Sequence, residues 1–168
     1  ATAMLMYERV AIGGGQALGI NHDRADLLIK EARRRGKLDD PVMRQELMKL
    51  YSAEVCQSLI GMQTRAALQA GKTPGPGGSL GKLAGANIAA AYRGLSLGVV
   101  GAEGVAWESN SRWAMDALST FASGIAGGTD QIQRNIIGER VLGLPREPSV
   151  DKDLPFRDLK VGTQLTGS

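Results

Sequence analysis

The sequence predicts an all-α fold, an up-down-up-down four-helix bundle followed by an extended C-terminal tail. Three observations lead there. Aromatic residues make up only 4% of the chain, while glycine alone supplies 23 of 168 residues. That mix suits close-packed helices better than a β-sandwich. Apolar residues recur at helical spacing over several long stretches. Glycine and proline clusters separate those stretches with mostly short connections, as antiparallel helical neighbours require. At 168 residues the chain is one domain's worth and can bury a core.

The first helix is expected from about Thr2 to Arg35, with Leu5, Val10, Ile12, Ala17, Ile20, Leu27 and Leu28 on one face. Gly13, Gly14, Gly15 and Gly19 interrupt it, each costing up to about 1 kcal/mol against alanine. Close approach of a partner helix or ligand offsets such a cost. Arg33, Arg34 and Arg35 meet the negative end of the helix dipole, and Gly36 stops it. Asp40 reads as an N-cap with Pro41 as the first helical residue of the second helix. Met43, Leu47, Leu50, Tyr51, Val55, Leu59 and Met62 form its expected apolar stripe, lasting to about Ala70. Cys56 falls near that stripe and reads as a small core residue.

Residues 71–78, with Pro74 and Pro76, break the chain. Ser79 is expected to cap a third helix from about Leu80 to Glu108, whose apolar positions are Leu83, Ile88, Leu95, Val99 and Val100. Small residues from Gly85 to Ala91 permit tight crossings, and Gly98, Gly101 and Gly104 offer places to end it early. Asn110 and Ser111 could cap a short helix from Arg112 to about Phe121. A last helix follows Thr129. From Leu144 onward Pro145, Pro148 and Pro155 disfavour helix. The bundle is therefore assigned to residues 1–147 and the tail to 148–168.

Composition excludes several classes. The net charge of +3 is too mild to argue for nucleic acid. One cysteine, Cys56, and one histidine, His22, exclude a disulfide framework and a Cys- or His-rich metal site. His22 has no nucleophile-elbow motif to serve in hydrolysis. No apolar run approaches the roughly 20 residues of a membrane span. A cytoplasmic location is the default expectation.

The chain is organised around Gly127-Gly128-Thr129-Asp130-Gln131-Ile132-Gln133-Arg134. Two glycines supply an open, tight turn. Thr129 then caps a helix that runs through Ile132, Ile136 and Ile137 towards Arg140. Such a helix start presents unpaired N–H groups and a positive dipole end to a phosphate or other electron-rich group. Simple punctuation between two helices is the competing local reading.

The longer run from 127 to 147, Gly-Gly-Thr-Asp-Gln-Ile-Gln-Arg-Asn-Ile-Ile-Gly-Glu-Arg-Val-Leu-Gly-Leu-Pro-Arg-Glu, closely resembles the C-terminal signature of the acyl-CoA dehydrogenase family of flavoproteins. Tyr7-Glu8-Arg9-Val10 and the glycines after it look like the opening of that family's C-terminal helical domain. The resemblance covers nearly the whole chain but not a whole enzyme, since nothing here corresponds to the family's N-terminal helical and middle β-domains. It implies the same helical bundle.

The resemblance also implies a chemistry. A carboxylate removes the proton next to a thioester carbonyl while the β-hydrogen leaves as hydride to the flavin of FAD. Many members place the base immediately before the Gly-Thr of the turn, where this chain has Gly127. A minority place it on the first helix of the domain, and the matching residue is Glu8. Asp130 is the rival carboxylate, better read as a dipole-favoured acid of the first turn. Arg9 matches an arginine near the active site that orients base or acyl chain. Thr129 and Gln131 match positions that hydrogen-bond the cofactor. Arg34 lies where the family has an arginine for the FAD diphosphate of a neighbouring subunit, although its Arg-x-x-Phe-Gly pattern is replaced by Arg33-Arg34-Arg35-Gly36-Lys37-Leu38. Gly101-Ala102-Glu103-Gly104 is a degraded match to a Gly-Gly-x-Gly turn against adenosine. The implied partners are an acyl-CoA substrate, an electron-transfer flavoprotein or similar acceptor, and further subunits in a homo- or hetero-oligomer. Gly127 and the altered flavin loop also fit a second class, a non-catalytic structural subunit of a mixed oligomer. The isolated chain, without the β-domain wall of the pocket, is expected neither to hold FAD tightly nor to turn over substrate.

Overall fold

The structure is a computed structural model that describes Met4, Tyr7 and residues 24–72, 75–106, 112–146 and 154–159. Among the described residues every regular element is helical. Helix α1 spans Arg24–Arg34, α2 Pro41–Gln69, α3 Gly78–Val100, α4 Ala102–Val105, α5 Arg112–Ser119 and α6 Asp130–Ile136. Short 3-10 turns cover Lys37–Asp39, Thr120–Gly124 and Phe156–Asp158, and a π turn, Ile137–Val141, prolongs α6.

Helix α3 is the hub. It packs against α1, α2, α4, α5, α6 and the Thr120–Gly124 turn. Its sequence explains why. Gly81, Ala86, Ala89 and Ser96 are small and buried, so neighbours approach closely on more than one side. By length and composition alone α3 is apolar enough to cross a membrane. Its buried residues are instead those that meet the other helices. Ala25, Leu28 and Ala32 of α1, spaced three and four apart, pack with Leu47 and Leu50 of α2 and Ile88, Tyr92 and Val99 of α3. The Tyr92 hydroxyl donates to Asp116 Oδ2 at 3.3 Å. Burial, reinforced by that carboxylate, pushes the phenol up to about 12.

The described part of the first predicted helix is its C-terminal stretch, α1, and Gly36 follows it as read. Met4 and Tyr7 are also helical, while the interrupting glycines 13–15 and 19 lie outside the described residues. Helix α2 starts as expected. Asp40 Oδ1 accepts from the Val42 N–H at 2.8 Å, and Pro41 takes the first helical position.

Beyond Leu50, however, the stripe expected inside is not the stripe buried. Tyr51, Val55, Leu59 and Met62 are exposed, Leu59 by 58%, and Cys56 is exposed too. Glu54 and Gln57 face inward in their place. The reason is hydrogen bonding. Glu54 Oε2 accepts from the Ala25 N–H at 3.0 Å, tying α2 to the start of α1. Gln57 Nε2 donates to the Gly81 carbonyl at 2.7 Å. Polar groups with such partners can be buried, and periodicity of apolar residues does not register them.

Helix α3 also departs from expectation at both ends. It starts at Gly78 after Gly77, so Ser79 is not its cap but a buried residue of its first turn. It stops at Gly101, whose φ of 69° and ψ of −143° L side chains rarely adopt. Asn110 and Ser111 lie outside the described residues, as does the boundary at 147/148. The short helix from Arg112 tightens into a 3-10 turn at Thr120 and runs to Gly124.

Candidate functional site

The Gly127–Gln131 turn is built from the inside. Gly127 and Gly128 have φ of 69° and 95°. The Thr129 hydroxyl accepts from the Ile132 N–H at 3.4 Å, and the first helical bond, Gln133 N–H to Thr129 O, measures 2.9 Å. Gln133 is fully buried, and its amide nitrogen reaches back to the carbonyls of Gly127 at 2.8 Å and Gly128 at 3.4 Å. A Cβ on Gly128 would stand 2.7 Å from that nitrogen, so glycine leaves the room that Gln133 uses. Asp130 Oδ1 meets Lys82 Nζ of α3 at 3.0 Å. Gln131 and Ile132 face outward and are exposed. Within this one turn Gln133 and Asp130 hold the backbone from inside while Gln131 and Ile132 face solvent.

Arg34 and Gly101 lie together at the opposite end of α3. Arg34 sends Nε and Nη2 to the two Glu31 oxygens at 2.9 and 2.6 Å and remains 65% exposed. Arg35 is the structural one of the three arginines. It donates to Glu31 at 2.6 Å, to Glu103 at 2.7 Å and to the Val100 carbonyl at 3.3 Å, fastening the end of α1 to the Gly101 turn. Lys82 and Gly101 are separated by about 30 Å along a straight helix. The four described candidates thus form two pairs, Thr129 with Gln131 and Arg34 with Gly101, one at each end of α3. Glu8 and Arg9 lie outside the described residues.

Hydrogen bonds from Arg34, then Arg35, hold the Glu31 carboxyl down from 4.5 to about 2. A depressed folded-state value means stabilisation that is complete above the unfolded value and lost as pH falls through the folded one. The stability gap between the wild type and Glu31→Gln, measured from urea midpoints, is expected to be widest above about pH 4.5 and to close towards about pH 2.

Lys82 and Gln133 escaped the reading of the sequence. The available signal was that Lys82 and Arg93 are the only charged residues in the 23 of α3. Among the described residues no group of three or more His, Cys, Asp and Glu side chains could hold a metal ion. The donor set suits a different ligand. The Thr129 hydroxyl keeps its proton to donate, Gln131 offers an exposed amide, and Arg34 offers an exposed guanidinium. Thr129 and Gln131 would suit the ring acceptors of a ligand such as FAD, and Arg34, at the opposite end of α3, would suit the diphosphate of a second one.

The family model described as acyl-CoA dehydrogenase, C-terminal domain, matches residues 1–142. The chain belongs to the acyl-CoA dehydrogenase family. Acyl-CoA dehydrogenase IpdE1 of Mycobacterium tuberculosis is 34% identical over 152 residues, covering 88% of this chain and 38% of that protein. IpdE1 of Mycolicibacterium smegmatis is 32% identical, with 88% and 36% covered. Acyl-CoA dehydrogenase FadE34 of Mycobacterium tuberculosis is 31% identical, with 87% and 19% covered. This acyl-CoA dehydrogenase domain therefore spans under two fifths of the length of these relatives. A solved Tcur3481-Tcur3483 steroid ACAD variant shares its fold, with a TM-score of 0.67 at 21% identity, over 87% of this chain and 40% of that one.

Proposed function

We propose that the chain is the C-terminal helical bundle, residues 1–147 with a tail at 148–168, of a flavin-dependent acyl-CoA dehydrogenase. The observation that carries this is the Gly127–Gln131 turn. Its backbone is clamped from within, while the Gln131 amide faces outward and the Thr129 hydroxyl keeps a proton to donate. Thr129 and Gln131 would hold one FAD, and Arg34 and Gly101 a second FAD belonging to a neighbouring subunit. The separation of the two pairs supports that division. When bound, FAD supplies the acceptor for the β-hydrogen, which leaves as hydride. Glu8 is the base that removes the α-proton, because Gly127 has no side chain to do so. Arg9 orients Glu8 or the acyl chain.

Tyr51, Val55, Leu59 and Met62 form an exposed apolar face of α2, and a separate groove of about 690 Å³ between α2 and α3 is lined in part by Leu50, Ile60, Ile88 and Leu95. A solvated face this apolar favours burial against further subunits or the rest of the polypeptide. Electrons pass on to an electron-transfer flavoprotein or similar acceptor, and the location is cytoplasmic. Gly127 also supports a second reading, a structural subunit without a base. Assay of the full-length protein with an artificial electron acceptor and a panel of acyl-CoA thioesters, steroid side-chain thioesters included, separates the two. Turnover with one thioester is expected. A flavin-free, inert protein would favour the structural subunit.

A further inference from the structure

We propose that Lys82 is a positioning residue that acts through Asp130 to set the Gly127–Gln131 turn against the flavin. The inference rests on the flavin reading above.

The Lys82 side chain is completely buried, and its ammonium lies 3.0 Å from Asp130 Oδ1. Asp130 is 26% exposed and sits between Thr129 and Gln131, the two residues assigned to the flavin. Burying an ammonium costs free energy that a single carboxylate only partly offsets, and an apolar pair of similar volume often serves stability as well or better. Stability alone therefore does not explain a lysine here.

The surroundings point the same way. Ser79 lies three residues before Lys82 on α3, and Gln133 three residues after Asp130 on α6, so each shares a helix face with one member of the pair. Ser79 Oγ and Gln133 Oε1 are buried without hydrogen-bond partners among the described residues. Gln133 uses its nitrogen to grip the Gly127 and Gly128 carbonyls. The Lys82–Asp130 pair thus fastens the turn to the hub helix from behind, and Gln133 braces the turn itself, while Gln131 faces out. An ion pair fixes direction where an apolar contact would let the turn slide. The turn's register, not its existence, is what Lys82 determines.

The test uses the full-length protein in three forms: Lys82→Met, Asp130→Asn, and the double variant Lys82→Met with Asp130→Leu. The double variant replaces the pair by apolar groups and is expected to keep a melting temperature near the wild type's. Its kcat at saturating FAD is nevertheless expected to fall about a hundredfold, the loss that a misplacement of about 1 Å carries. Its FAD is also expected to dissociate more readily, with KM for the thioester changing less than kcat. A double variant with wild-type kcat and FAD affinity would overturn the proposal. If the double variant does not fold, Asp130→Asn decides on the same readouts, because it keeps the shape and removes the charge. A colourless wild type would remove the flavin reading and this proposal together. A yellow, active wild type with an unaffected double variant would remove this proposal alone.

Discussion

Glu8→Gln in the full-length protein is expected to lower turnover by about 10²–10⁴-fold, the usual contribution of a positioned general base. The amide keeps the size of the carboxylate and cannot accept the α-proton. Bound flavin should remain, because Glu8 is not among the residues assigned to it. kcat and kcat/KM should fall together, the signature of an interaction made in the transition state. Asp130, the rival carboxylate in the turn, is committed to Lys82 at 3.0 Å and is poorly placed to act as a free base. A Glu8→Gln protein with wild-type kcat and normal flavin would show that the base is elsewhere.

Leu28→Ala is expected to destabilise the fold by about 2–5 kcal/mol, the range for removing a buried leucine side chain. Leu28 is completely buried where α1 meets α2 and α3. The loss is to be read from urea unfolding as a lower midpoint at unchanged slope. Leu59→Ala is the matched control. Its side chain is 58% exposed, and a surface change of this kind stays within about 0.5 kcal/mol. Equal losses at the two sites would contradict the burial pattern of α2 described above.

The burial pattern of α2 shows where the sequence was legible and where it was not. The starts of α2 and α6 could be read because capping is local. Asp40 bonds to Val42 and Thr129 to Ile132, two and three residues along the chain. The stop at Gly101 was one of three offered by glycine. The inward face of α2 was readable only as far as Leu50. Beyond it, Glu54 and Gln57 are buried because their partners, Ala25 and Gly81, lie 29 and 24 residues away. Lys82 was missed for the same reason, with its carboxylate 48 residues on. Ser79 looked like a cap because it is a serine after glycines, yet the helix begins before it. Residue type announces local bonds. It does not announce a polar side chain whose partner comes from another helix. The pairing of Arg34 with Gly101 across α1 and α3 was invisible for that reason too, since Arg35 makes it through Glu103 and Val100.

The function proposed above has this domain helping to hold FAD in an enzyme that oxidises acyl-CoA thioesters. The visible absorption spectrum of the purified full-length protein, recorded without air before and after each thioester of a panel, tests it most directly. A flavin spectrum that bleaches with one class of thioester is expected. A colourless protein that stays unchanged through the whole panel would contradict it, and Glu8 would then be an ordinary acid.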